Sequence, residues 1–148
     1  MHTDYKPIVV DWIAMLSIST RLIFPKVRER AIQELTTRME EINAFDLIEL
    51  AVKYDVQHWL KPAYRRIVTR PNLVTHVEAE KVPFPMAVML MRSREQHWKT
   101  HNRGHSAFAA SGMNTRLVQD PDHIIDSEVR VMEQISRGPA SIGSSRAM

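Results

Sequence analysis

Trp59–Leu60, Ala63–Tyr64 and Ile67–Val68 recur as adjacent apolar pairs every four residues, with Lys61, Arg65 and Arg66 between them. That spacing draws one apolar stripe along an α-helix and fits no strand, whose side chains alternate with period two. Pro62 falls in the first turn of such a helix, where a missing N–H costs nothing. No stretch of the chain sustains strict apolar–polar alternation. The chain is therefore expected to be all-α.

The same period extends in both directions. Over 10–22, Ile13, Leu16 and Thr20 lie at helical spacing with Ile23 next in the series, and Pro25 bars helix at Phe24. Pro25 suits the opening turn of a second helix, whose stripe is Val27, Ala31, Leu35 and Met39. A third runs from 44 to 54, capped by Asn43 or Asp46 and burying Leu47, Ile48, Ala51 and Tyr54. After a turn at Pro71–Asn72, Thr75 and Glu78 form a capping box for a short fifth helix that stops before Pro83. A sixth begins near Phe84–Pro85 and extends to about Thr100, with Met86, Met89 and Met91 as core filler.

Composition shifts after His101. Residues 102–114 are small, polar and glycine-containing, and 137–148 read as a flexible terminus. The expected organisation is an array of five to six short antiparallel helices over 1–101. A largely disordered polar tail follows over 102–148, holding one short amphipathic helix near 122–135.

Several function classes fall away. The chain has no cysteine, so there is no disulfide scaffold, thiolate metal site or cysteine nucleophile. All four glycines lie at or beyond Gly104, too late for a phosphate-cradling loop. Ser17, Ser19, Ser93 and Ser106 sit in no nucleophile-elbow context. The expectation is no enzyme and no cofactor. His97, His101 and His105 are four apart, but Gly104 should interrupt the helix and no Cys or Asp completes a ligand set, so no metal site is expected. No apolar run approaches the ~20 residues of a membrane span, and no secretory pattern opens the chain. The expected location is intracellular, cytoplasmic or nuclear.

The net charge is +3, and over 1–101 fifteen Lys and Arg face twelve Asp and Glu. Nucleic-acid binding is the alternative function, carried by the helix 61–70 with Lys61, Arg65, Arg66 and Arg70 as contacts. The charge excess is too small and dispersed to favour it; those arginines read first as the wet face of a core helix.

Two blocks carry a family resemblance. DWIAMLSISTRLIFPKVRERAIQEL, followed by FDLIELAVKYDVQHWLKPAYRRIVTR, resembles the helical region that follows the BTB/POZ domain in basidiomycete fungal proteins. The second block bears Asp46, Tyr54, Trp59, Pro62 and Tyr64 as its signature, and the likeness covers about 11–99. It implies an all-helical, non-catalytic interaction module, an adaptor or regulatory element with a protein partner. No BTB-like α/β segment precedes Asp11, so the chain reads as the second half of such a protein.

Overall fold

The computed structural model describes residues 6–107 and 120–137. Among them there are seven α-helices, two short 3-10 turns and no strand. The all-α expectation holds. The chain divides into two compact units, Met1–Val82 and Pro83–Met148.

In the first unit, helix α1 (Val9–Arg21) packs on α2 (Pro25–Thr37), and α3 (Ala44–Lys53) on α4 (Leu60–Thr69), with the short α5 (His76–Glu80) following. The 3-10 turns Met39–Glu41 and Gln57–Trp59 lead into α3 and α4. Each start has a local cause. Asp11 Oδ2 accepts the Ile8 N–H at 2.8 Å, Pro25 is the first residue of α2, and Asn43 Oδ1 accepts the Phe45 N–H at 2.9 Å. The Thr75–Glu78 capping box closes in both directions.

The core of this unit is Leu16, Ala31, Leu35, Phe45, Leu47, Ile48, Ala51, Trp59, Ala63, Ile67 and Val68. The paired stripe of α4 is thus buried as its period requires, with Leu60 half-buried. Polar bonds tie the α1–α2 pair to the α3–α4 pair. Trp59 Nε1 donates to Thr36 Oγ1 at 2.8 Å, Arg28 Nη2 to the Tyr54 carbonyl at 2.7 Å, and Arg66 Nη1 to the Met39 carbonyl at 2.9 Å.

α1 departs from its expected face. Of Ile13, Leu16, Thr20 and Ile23 only Leu16 is buried; Ile13 is half-buried and the other two are exposed. Its other buried residue is Ser19, whose hydroxyl bonds back to the Leu16 carbonyl. Helix α1 ends at Arg21, and Ile23 adopts a left-handed backbone with φ 57°. The Phe24 N–H then reaches the Ser19 carbonyl at 2.9 Å, the six-to-one bond of a Schellman closure. α3 ends alike, with Asp55 at φ 52° and the Val56 N–H on the Ala51 carbonyl. Both closures occupy a position where glycine is easiest, and an isoleucine there is under steric strain.

Replacing Ile23 by glycine removes that strain, offset in part by the entropy glycine adds to the unfolded chain. Ile23→Gly is expected to stabilise the protein by about 0.5–1 kcal/mol, read as a raised urea midpoint. Asp55→Gly should gain less, because aspartate tolerates this conformation and its carboxylate accepts a bond from Gln57 Nε2.

The second unit holds α6 (Phe84–Ala107) and α7 (Pro121–Arg137), which pack together. Glu128 of α7, buried, accepts from Gln96 Nε2 at 2.7 Å and lies 3.4 Å from Arg92 Nε. Met86, Met89 and Leu90 are buried as expected, while Met91 is exposed. Two expectations are corrected here. The division falls at Val82–Pro83 rather than near His101, because α6 runs unbroken past 101 and its Arg92 and Gln96 anchor α7. Gly104 does not interrupt the helix, which continues to Ala107. The segment 122–135 is indeed helical, within α7. The remainder of the expected tail, 108–119 and 138–148, lies outside the described residues.

Candidate interaction surface

The signature residues of the second block are structural at every position. Trp59 is fully buried and Tyr54 and Tyr64 nearly so; burial pushes the Tyr64 hydroxyl up to about 12, so it stays neutral. Tyr54 gives its carbonyl to Arg28, and Lys53 Nζ sits 5.5 Å from the centre of its ring. Pro62 is the third residue of α4, and Asp46 pairs with Lys81 across the unit. The five residues are spread through α3, α4 and the turn between them, and they form no single exposed patch.

The four basic residues of the alternative reading are divided in the same way. Arg66 is spent on the Met39 carbonyl, 3.6 Å from Glu40. Arg70 grips Glu78 with both terminal nitrogens, at 2.8 and 2.6 Å, and lies over the Phe45 ring. Lys61 and Arg65 are exposed. An arginine already paired bidentately offers little to a phosphate.

His97 and His101 do come together on α6, with rings stacked at 5.9 Å and Trp98 edge-on to both. Burial first, then electrostatic interaction with the neighbouring His101 and Arg94, holds the His97 ring below its usual pKa. The His105 side chain lies outside the described residues. Among the described residues no three His, Cys, Asp or Glu side chains are placed to hold one metal ion.

What sequence reasoning missed is the apolar surface of α1 and the turn after it. Leu22 is 59% exposed, Ile23 84% and Phe24 53%, and Val27 at the start of α2 is exposed too. Ile8 at the N-cap of α1, and Val10, Met15 and Ile18 along it, are exposed as well. Beside the turn a shallow open groove of about 670 Å³ runs along α2, lined by Pro25, Arg28, Ile32, Gln33, Thr36 and His58 among others. Singly exposed apolar residues are ordinary, but three in a row at one turn, as at Leu22, Ile23 and Phe24, suit a contact site. The available signal was the composition of 8–24, apolar nearly all round for a helix that pairs with one neighbour.

Among the described residues no helix is long and apolar enough to cross a membrane. No family model matches the chain, and neither a curated protein nor a solved structure is significantly similar to it.

Proposed function

We propose that this chain is a non-catalytic protein–protein interaction module working inside the cell, an adaptor or regulatory element of the BTB-associated helical kind that its Asp46–Tyr64 block resembles. Its contact site is the turn Leu22–Ile23–Phe24 with Val27. The observation that carries this reading is Ile23, an isoleucine in the left-handed region with its side chain almost wholly in water. Core packing does not hold it there, and backbone preference opposes it. Strained residues of this sort concentrate where a surface is used. Apolar anchors beside a shallow groove suit a partner that supplies a complementary apolar pocket and a polar rim.

The test is affinity capture from the native cell with the full chain, with Ile23→Asp/Phe24→Asp, and with Lys61→Glu/Arg65→Glu. A protein partner retained by the wild type and the Lys61/Arg65 variant, and lost by the turn variant, is the expected result. Loss confined to the Lys61/Arg65 variant, with strong salt dependence and nucleic acid in the eluate, would establish the alternative instead. Ile23→Gly separates the two roles of that residue, since it should melt higher and yet bind the partner less.

A further inference from the structure

The exposed side of α1 carries a heptad-like stripe. Ile8, Met15 and Leu22 are spaced by seven, and Asp11 and Ile18 follow Ile8 and Met15 by three, the a and d positions of a helix-pairing seam. Ile8 is 61% and Ile18 56% exposed, and Met15 and Leu22 are exposed as well. Asp11 lies in the first turn and Arg21 in the last.

We propose that this face is covered by a second copy of the chain, with the two α1 helices packed antiparallel about a two-fold axis near Leu16–Ser17. The charges choose both the occupant and the orientation. In the antiparallel register Met15 of each copy meets Ile18 of the other, and Asp11 falls level with Leu22 and beside Arg21 of the second copy. The two-fold repeats that ion pair at the other end of the seam. A parallel pair would set Asp11 against Asp11 and Arg21 against Arg21, which like-charge repulsion disfavours. A surface whose opposite charges lie symmetrically about its own midpoint is self-complementary, the requirement of an isologous dimer.

Size is consistent with this arrangement. Ile8 comes level with the α1–α2 turn of the second copy, so the stripe and the turn become one continuous surface. A standard interface takes about 800 Å² from each partner, which calls for the stripe and the turn together. The proposal deepens the reading of the chain as an interaction module and can fail without it: the turn borders the seam, but the variants that test self-association are at Ile18, Asp11 and Arg21, outside the turn.

Sedimentation equilibrium on the full chain between about 1 and 200 μM tests it. The expected mass is twice the 17.1 kDa of one chain, with Ile18→Glu monomeric over the same range and unchanged in helical content. A mixing experiment tests the register. Arg21→Glu and Asp11→Arg chains should each self-associate at least tenfold more weakly than wild type. Mixed, they should form a heterodimer at least tenfold tighter than either homodimer, because both ion pairs are then complementary. A wild-type chain that stays monomeric at the top concentration overturns the proposal. So does a dimer indifferent to Ile18→Glu, or a mixture no tighter than its components. If the chain is monomeric while the Ile23→Asp/Phe24→Asp comparison still loses a specific partner, self-association is wrong and the interaction module stands.

Discussion

Trp59→Ala is expected to destabilise the first unit by about 3–5 kcal/mol, the range for truncating a large buried aromatic side chain. Trp59 is fully buried at the entry to α4, and its indole N–H crosses to Thr36 on α2. One side chain therefore fills the core and joins the two helix pairs. Thr36 Oγ1 also donates to the Ile32 carbonyl at 2.7 Å, so the hydroxyl is fixed to receive the indole. A domain of this size has roughly 5–15 kcal/mol of stability in all, so the loss should remove about a fifth of it or more. Urea unfolding followed by circular dichroism reads it as a large drop in midpoint at similar slope. Trp59→Phe keeps most of the volume and deletes the N–H, and should lose only about 1–2 kcal/mol. A Trp59→Ala variant within 1 kcal/mol of wild type would mean that the two helix pairs do not depend on this joint.

The same tryptophan shows what can be read in advance. Its place in a run of paired apolar residues requires burial, because no other face of α4 could meet a core. Asn43 and the Thr75–Glu78 box are equally legible, since each acts on backbone groups two or three residues away, and so is Pro25, which acts on its own backbone and on the residue before it. α1 was not legible in this way. Its sequence is apolar on almost every side, so periodicity does not say which residues meet α2, and of the stripe Ile13, Leu16, Thr20 and Ile23 only Leu16 is fully buried. Its end was hidden too, because the left-handed position that closes it holds isoleucine, where the usual mark is glycine. Gly104 misled in the opposite sense: one glycine weakens a helix by about 1 kcal/mol and need not end it. Spacing alone makes the arginines of 61–70 a wet face, yet Arg66 and Arg70 find a carbonyl and a carboxylate that are distant in sequence or lie beyond a turn. Sequence spacing shows which way a long side chain leaves its helix, and it does not show what stands there to receive it.

Arg70 and Glu78 give the second large effect, and it depends on pH. The Arg70 guanidinium, bonded through two nitrogens, is the main cause that holds the Glu78 carboxyl down at about 2, and the capping bonds from Thr75 help. The guanidinium also donates to the Leu73 carbonyl, so one side chain fastens the end of α4, the turn after it and the start of α5. An unfolded glutamate ionises near 4.3, so folding favours the charged form. The stabilisation is complete above the unfolded value and drains away as pH falls from there towards 2. The pair is partly exposed, so solvent screening reduces its worth to about 1–2 kcal/mol. Stability measured between pH 7 and 2 should therefore fall through this window, and the wild-type advantage over Glu78→Gln should shrink by about that amount. Arg70→Ala should cost more at neutral pH, about 2–3 kcal/mol, because it strips Glu78 of its partner and uncovers the Phe45 ring. If the gap between wild type and Glu78→Gln is the same at pH 7 and at pH 2.5, the carboxylate is not what holds α5 to the array.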